Sequence, residues 1–320
     1  MTLSNRRSFL KCSAAALAST VAASGAGGCA GKEDREKSFT PKTFSPKKPL
    51  VLWYSQAGHT RRIGRVLAHT FRKRGLACTA ADIRDVRVDQ LPSFDLIVVG
   101  TPVFYYDVPE HPARILQDIP RIDGTPAASF TTYGGPGNNQ HNTAVSILEK
   151  LQARGGVPID LETFGNMSTF APTWSIGNRE RVLAYKHLPN RETYAKAREF
   201  AARILGNLEQ KRVLALSREV TFDNFMKHLA PIWFTKLLIG EHSIDGDMCI
   251  GCGTCVEKCP VDAAHPEESR IDRDRCVACM GCINNCPEQA VKMVFMGHDV
   301  YGFQEFLKQS GVSIVEPNLS

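Results

Sequence analysis

Residues 249–260 read Cys-Ile-Gly-Cys-Gly-Thr-Cys-Val-Glu-Lys-Cys-Pro, and residues 276–287 read Cys-Val-Ala-Cys-Met-Gly-Cys-Ile-Asn-Asn-Cys-Pro. Both stretches space their cysteines as C-x₂-C-x₂-C-x₃-C and end in proline. Structural zinc usually takes two C-x₂-C pairs, whereas a looped backbone with three evenly spaced cysteines suits three corners of an iron–sulfur cube. The chain has 11 cysteines, and most of them lie in these two stretches. The pattern therefore predicts two [4Fe–4S] clusters rather than zinc or a disulfide framework.

This double motif resembles that of bacterial ferredoxins, in which the fourth cysteine of each motif ligates the other cluster. The resemblance implies that cluster 1 is held by Cys249, Cys252, Cys255 and Cys286. It implies that cluster 2 is held by Cys276, Cys279, Cys282 and Cys259. Gly251, Gly253 and Gly281 lie inside these loops, where a side chain would crowd the cluster sulfides.

From Pro49 onward, short apolar runs alternate with amphipathic stretches, which is typical of a parallel sheet with helices on both faces. The buried runs predict strands at Leu50–Tyr54, Phe94–Val99, Ala127–Thr132 and Val157–Phe164, with a weaker strand near Leu76–Ala81. The intervening stretches predict helices at Arg61–Arg74, Glu110–Ile119, Thr143–Arg154 and Arg191–Leu208. The fold class expected is α/β, a doubly wound parallel sheet followed by a small α+β domain that holds the clusters.

Three loops follow predicted strands, and ligands of such sheets bind beyond the carboxyl ends of the strands. The first loop, Ser55–Thr60, is rich in small residues and precedes a helix, where backbone N–H groups and the helix dipole favour an anion. The second loop is Thr101–Tyr106, and the third is Thr131–Asn138. An empty helix cap or aromatic core residues would explain any one loop alone, but three loops at one edge favour a flavin site.

The first loop resembles the phosphate loop of flavodoxins, with Ser55, Gly58 and Thr60 at the matching positions. The resemblance implies flavin mononucleotide (FMN) as cofactor, with the second and third loops flanking its ring. A family that fuses a flavodoxin-like domain to a two-cluster ferredoxin is similar over about Pro49–Phe295. The implied FMN-binding residues are Ser55, Gln56, Ala57, Gly58, His59, Thr60, Pro102, Val103, Phe104, Tyr105, Thr132, Tyr133, Gly134, Gly135 and Asn138.

The N-terminus resembles a twin-arginine export signal, with the pair Arg6 and Arg7 followed by an Ala-rich apolar stretch from Ala14 to Ala23. That stretch is too short to span a membrane, which takes about 20 apolar residues. Twin-arginine export carries folded proteins, which suits a chain that must hold clusters before it leaves the cytoplasm. Residues 26–29 resemble a lipoprotein cleavage box with Cys29 as the lipidated residue, although Ala26 stands where leucine is usual. Plain cleavage beside an incidental cysteine is the alternative.

These features divide the chain of 320 residues into six predicted segments. The division is a signal peptide over 1–29, a linker over 30–48, a flavodoxin-like domain over 49–210, a helical connector over 211–243, a ferredoxin domain over 244–297 and a C-terminal tail over 298–320. Apolar residues at helical spacing in the connector predict packing between the two domains, with a membrane surface or a partner protein as alternative contacts.

The formal net charge of +6 does not indicate nucleic-acid binding. Much of the basic excess lies in residues 1–48, and no basic run is interleaved with aromatic residues. The sequence also offers no catalytic triad and no dedicated acid–base residue in the three loops.

The function expected is therefore an exported electron-transfer protein on the outer, periplasmic side of the cytoplasmic membrane. Its expected partners are the twin-arginine export machinery, the membrane through a lipid anchor, and a redox protein or the quinone pool. The alternative is an FMN-dependent oxidoreductase that reduces a quinone or another small substrate with electrons from the ferredoxin domain.

Overall fold

The apolar run at Pro49 forms a central strand of a five-stranded parallel sheet with the order β2-β1-β3-β4-β5. In this computed structural model, residues 40–135, 139–221 and 232–320 are described. The order 2-1-3-4-5 is that of flavodoxin-like folds, so the predicted fold class is confirmed. The strands are β1 Pro49–Trp53, β2 Thr79–Asp82, β3 Leu96–Pro102, β4 Pro126–Gly134 and β5 Val157–Asn166.

Helices cover both faces of this sheet, as the alternating pattern predicts. They are α1 His59–Lys73, α2 Glu110–Asp118, α3 Gln140–Ala153, α4 Pro172–Ser175, α5 Arg179–Leu183 and α6 Arg191–Glu209, with a 3₁₀ turn at Val88–Ser93. The apolar faces of α1 and α6 share one core layer with the sheet. Those of α2 and α3 share the other.

The C-terminal third forms a second, antiparallel sheet with the order β10-β9-β6-β8-β7. The two cysteine motifs lie in the segments between its strands. The elements are α7 Ile232–Leu238, β6 Ile239–Ile244, α8 Thr254–Lys258, β7 Ala264–His265, β8 Arg270–Ile271, α9 Gly281–Asn285, β9 Val291–Phe295, β10 His298–Asp299 and α10 Phe303–Ser310, with a 3₁₀ turn at Pro266–Glu268.

A continuous apolar core joins the two halves, and all described residues belong to one compact unit from Phe39 to Ser320. Trp174, from the segment between β5 and α6, stacks on Phe306 of α10 with ring centroids 4.6 Å apart. Phe303 of the same helix lies 6.0 Å from Trp174. The region predicted as a C-terminal tail therefore contributes a helix to the core.

The last ten residues also differ from a free tail, because they lie across α1 and α6. The Tyr194 hydroxyl donates to the Val315 carbonyl, and Arg62 pairs with Glu316. Arg198 donates to the Asn318 carbonyl at 2.8 Å. These bonds place the segment over the helix that follows the first loop.

The end of the predicted linker likewise packs on the fold. The Lys42 N–H donates to the Gly124 carbonyl at 2.6 Å. The Lys47 and Lys48 N–H groups both donate to the Asp95 carboxylate, at 2.7 and 2.8 Å. These contacts bring the ordered fold forward to about residue 41, ahead of the first strand.

The predicted connector is only partly described, because residues 222–231 lie outside the described ranges. Its described helix, α7, has no buried residue, and Trp233 and Leu237 are exposed at 62% and 71%. One side of α7 is therefore open, while Leu238 at its end packs against the core that contains Trp174, so that packing between the two domains by the whole connector stays a prediction. Within the described ranges, no helix is long and apolar enough to cross a membrane.

Candidate functional site

A cavity of about 590 Å³ lies beyond the carboxyl ends of β1, β3 and β4. Its volume falls in the range of about 300–1,000 Å³ that small-molecule sites occupy. All three predicted loops contribute to it. The predicted FMN residues that line it are Ser55, Gln56, Ala57, His59, Thr60, Pro102, Val103, Phe104, Tyr105, Thr132, Tyr133, Gly134 and Gly135.

Two predicted residues are not among that lining. Gly58 forms the turn itself, with φ of 91°, and caps α1, and its N–H donates to Ser55 Oγ at 3.1 Å. A side chain there would be strained, since positive φ favours glycine. Asn138 lies outside the described residues.

The first and third loops are tied together by their threonines. Thr60 Oγ1 lies 2.8 Å from Thr132 Oγ1, and both side chains are buried. The helix begins at His59 rather than at the predicted Arg61, so Thr60 lies in its first turn and does not cap it. The pair holds the start of α1 against the end of β4.

His59 is buried at the cavity wall, with 6% of its surface exposed. Neither ring nitrogen has a hydrogen-bond partner among the described residues. Its ring meets that of Phe303 edge-on, with centroids 5.7 Å apart. Burial and the charge of Arg62 lower the pKa of His59 to about 3, so the imidazole is neutral at physiological pH.

The second loop reaches across to the ferredoxin half. Tyr105 and Tyr106 have positive backbone φ values of 48° and 64°, which residues other than glycine rarely adopt. This turn carries the Tyr105 hydroxyl to the Ala278 carbonyl, to which it donates at 2.9 Å. Burial raises the pKa of Tyr105, so the phenol stays protonated as a donor. Backbone strain at a cofactor loop is typical of functional sites.

The third loop lies against the segment that follows β5. A Cβ on Gly134 would come within 2.3 Å of the Ser168 Cα, so only glycine fits there. The Val103 N–H donates to the Thr132 carbonyl at 3.0 Å and joins this loop to the second. Close backbone packing thus closes the side of the cavity.

Sequence reasoning missed two other walls of the cavity. One is Ala278, Cys279 and Met280 of the second cysteine motif. The other wall runs from the end of β5 to the segment before α6 and includes Asn166, Thr173 and Arg181. Arg181 is the one Lys or Arg among the described residues that line the cavity. Small polar residues without a motif give no signal that could have revealed this second wall. The wall from the second cysteine motif could not be predicted, because it meets the three loops only through contacts between residues far apart in the sequence.

The cavity fits a polar ligand. Within the part of the chain that the structure describes, four lining side chains have buried polar atoms without a partner: Gln56 Oε1, both His59 ring nitrogens, Gln140 Oε1 and Asn166 Oδ1. Buried polar groups without partners are rare in folded proteins unless a ligand or water satisfies them. Together with the aromatic residues of the second and third loops, these groups suit the polar edges and the apolar face of a flavin.

The first group of cysteines assembles around the loop after β6. Burial raises the pKa of Cys255, and the charges of Cys249 and Cys286 add to the effect. The Ala290 N–H donates to Cys286 Sγ at 3.2 Å. Cys286, from the second motif, therefore lies with the first group.

The second group assembles next to the cavity. Burial raises the pKa of Cys279 to about 12, and neighbouring Cys276 and Cys259 act in the same direction. The Ala263 N–H donates to Cys259 Sγ at 3.1 Å. Cys259, from the first motif, therefore lies with the second group. This is the exchange of fourth cysteines that crossed ligation requires, while ligation itself stays a prediction.

The two motifs repeat each other in backbone conformation as well as in spacing. Gly251 and Gly253 have positive φ, and Ala278 and Met280 have positive φ at the equivalent positions of the second motif. Positive φ folds each loop so that three sulfurs face inward.

The described cysteine sulfurs do not form the close set of ligands that a single zinc ion takes. Zinc binds thiolates at about 2.3 Å, which sets its ligand sulfurs about 3.8 Å apart. Among the described residues, the one set of three potential metal ligands within 4.8 Å of each other is His265, Glu267 and Glu268. No three described cysteine sulfurs are that close, as expected for ligands spread around a larger iron–sulfur cube.

Comparisons with known proteins agree with this arrangement. Two family models, each described as a 4Fe-4S binding domain, match residues 242–265 and 269–291. No curated protein matches the sequence significantly. Both motifs therefore match models of [4Fe–4S] binding, and the cavity beside the second motif suits a flavin.

Solved structures similar to the chain align with about half of it. A flavodoxin from the domain Archaea is 16% identical, with a TM-score of 0.38, over 51% of this chain and 99% of that one. A Streptococcus flavodoxin is 13% identical, with a TM-score of 0.40, over 50% and 98%. Rubredoxin oxygen:oxidoreductase from Desulfovibrio gigas is 19% identical, with a TM-score of 0.38, over 52% and 37%. The fold assignment rests on strand order and not on these distant likenesses.

Proposed function

We propose that this protein is an exported electron-transfer protein in which two [4Fe–4S] clusters serve an FMN site. The observation that carries the proposal is that Cys279 lines the same cavity as the three flavin loops. The clusters supply one-electron transfer, and the flavin supplies transfer of one or two electrons. The chain's part is to hold these groups within one compact unit.

The two cysteine groups differ in exposure, which supports a direction between surface and cavity. Cys252 of the first group is exposed, and its neighbour Ile250 is exposed at 65%. Cys279 of the second group lies at the cavity wall. The first group is thus the one open to a redox partner protein, and the second is the one next to the flavin site.

The phosphate of FMN would lie at the start of α1. Thr60 and His59 offer a hydroxyl and an imidazole there, and the free N–H groups of the first helical turn favour an anion. Arg181 is the one Lys or Arg side chain among the described residues of the cavity lining.

Cofactor analysis tests the proposal directly. Purified protein should hold about eight iron, about eight sulfide and one FMN per chain. In a Cys276→Ser variant, the FMN that is bound should be reduced more slowly when a one-electron donor is supplied. A Cys78→Ser variant serves as control, because Cys78 belongs to neither group. Zinc without sulfide, or no release and no uptake of FMN, would overturn the proposal.

Turnover separates electron transfer from catalysis. Quinone analogues should oxidise the reduced cofactors of an electron-transfer protein once. The reaction should then stop, because the partner that reduces the protein again is absent. Sustained reduction of a quinone with a supplied electron donor would instead favour the oxidoreductase.

Export and anchoring are proposals that rest on the N-terminal sequence, which lies outside the described residues. Arg6→Lys with Arg7→Lys keeps the charge and should trap cluster-loaded protein in the cytoplasm. Continued export of that double variant would contradict the twin-arginine route. Cys29→Ala should release the protein from membranes or leave it unprocessed. An unchanged mass and distribution would leave export standing and remove the lipid anchor.

A further inference from the structure

The Gln56 side chain lies at the boundary between the two halves of the molecule. It belongs to the first loop, lines the cavity and is buried, with 3% of its surface exposed. Its Nε2 lies 3.2 Å from Cys279 Sγ, within the range of a hydrogen bond to sulfur. One residue therefore touches both the flavin site and a cysteine of the second group.

The chemistry of the neighbours fixes which way the amide points. A cluster-bound thiolate carries no proton and only accepts hydrogen bonds, so the NH₂ side of the amide must face Cys279. The second N–H of the same nitrogen donates to the buried Tyr54 hydroxyl. Both protons of Nε2 are thus engaged, which holds the side chain in one orientation.

The backbone around Gln56 is fixed by the ferredoxin half as well. Asn285 Nδ2 donates to the Gln56 carbonyl and to the Gly281 carbonyl, each at 2.8 Å. A Cβ on Gly281 would come within 2.5 Å of Gln56 Oε1, so the absence of a side chain there makes room for the amide. Two residues of α9 therefore accommodate this one glutamine.

We infer that Gln56 is a positioning residue that raises the reduction potential of the cluster held by Cys259, Cys276, Cys279 and Cys282. Reduction adds negative charge to the cluster and its sulfurs, and an N–H donor to a ligand sulfur stabilises that charge. Charge-assisted hydrogen bonds are about twice as strong as neutral ones. Because the donor comes from the first loop, this hydrogen bond links the position of that loop to the reduction potential of the cluster next to it.

The inference rests on the proposed function only in that the second cysteine group holds a cluster. It does not require FMN to bind. Potentials measured on flavin-free protein therefore test the inference, while iron and FMN content test the proposed function separately.

The test is a redox titration of flavin-free, cluster-loaded protein followed by electron paramagnetic resonance. Gln56→Leu removes the donor and keeps a side chain of similar size. We expect the one-electron equilibrium of one cluster to shift about tenfold toward oxidised, or about 59 mV, with the other unchanged. The Cys259→Ser variant identifies which signal belongs to the second group.

A matched control exists at the first group, where Cys252 Sγ lies 3.4 Å from the Thr254 hydroxyl. Thr254→Val removes that hydroxyl without changing shape and should shift the first cluster alone. Equal shifts of both clusters in Gln56→Leu, or no shift of either, would overturn the inference.

Gln56→Met guards against a packing defect, because methionine has the length of glutamine and no donor. If the leucine variant lacks iron, the methionine variant should load both clusters and show the same shift of the second. Failure of both variants to load the second cluster would also overturn the inference. The amide would then hold the site together instead of setting its potential.

Discussion

Thr60 and Thr132 join the first and third loops through their side chains. Their hydroxyls share one buried hydrogen bond of 2.8 Å at the cavity wall. Substitution of either leaves the other hydroxyl buried and unpaired, which costs more than the bond contributes. The geometry of two flavin loops thus depends on a pair of side chains that the sequence places 72 residues apart.

Thr60→Val should weaken FMN binding about fivefold to tenfold, because a hydrogen bond contributes about 1 kcal/mol and 1.4 kcal/mol is a factor of ten. Quenching of FMN fluorescence on binding measures the Kd. Thr70→Val is the matched control, since Thr70 lies on the same helix and bonds only to the Val66 carbonyl. Equal Kd values for the two variants would contradict the prediction.

His59 should make the stability of flavin-free protein depend on pH. Its folded pKa is about 3, and the unfolded value is about 6.5. Unfolding therefore takes up a proton between these values, and stability falls as pH falls. The expected loss is roughly 1.4 kcal/mol of unfolding free energy between pH 7.5 and pH 5.5.

Urea unfolding of cluster-loaded, flavin-free protein at those two pH values measures this loss. His59→Gln should lose less stability than wild type by that amount, because glutamine does not titrate. His187→Gln, at an exposed position, should behave like wild type. A His59→Gln variant with the wild-type pH dependence would show that the imidazole is not buried as the structure places it.

At the scale of elements, α10 joins the two halves through aromatic packing. Phe306 is fully buried and stacks on Trp174, which comes from the segment before α6. The sequence predicts β1, β3, β4 and β5 of the first sheet because each contains a short apolar run. It predicts β2 only weakly, since Thr79–Asp82 is an edge strand with no buried residue. It did not predict that α10 belongs to the core, because two phenylalanines in eight residues do not indicate burial by themselves. Their burial depends on Trp174, which the fold brings next to them.

Phe306→Ala should lower the free energy of unfolding by about 3–5 kcal/mol, the usual cost of a large buried aromatic residue. Chemical denaturation measures it. Leu237→Ala is the control, because Leu237 is exposed at 71% and should change stability by less than about 0.5 kcal/mol. If the two variants are equally stable, α10 does not join the halves.

For the whole molecule, the cysteine motifs and the phosphate-type loop indicated both cofactor sites, since each depends on local spacing. Their adjacency was not predictable. Gln56 and Cys279 are 223 positions apart, and Tyr105 and Ala278 are 173 apart. No periodicity or motif encodes such pairs, because they arise only when two separately folded layers meet.

Cys259→Ser should perturb the cluster held by Cys276, Cys279 and Cys282, not the one nearest in the sequence, because Cys259 lies among those three thiols. Iron content should fall below about eight, with loss or conversion of one cluster. Cys78→Ser should leave both clusters intact. Loss of the first cluster's signal alone would contradict the exchange of fourth cysteines.

The wall shared by the cavity and the second cysteine group links the supply of iron to the binding of flavin. Ala278, Cys279 and Met280 form that wall, and they lie between Cys276 and Cys282, in a loop that a bound cluster would hold in place. A cell short of iron would make the chain without this wall and leave the flavin site open on one side. Iron availability would therefore govern how much of the protein carries flavin, although flavin contains no iron.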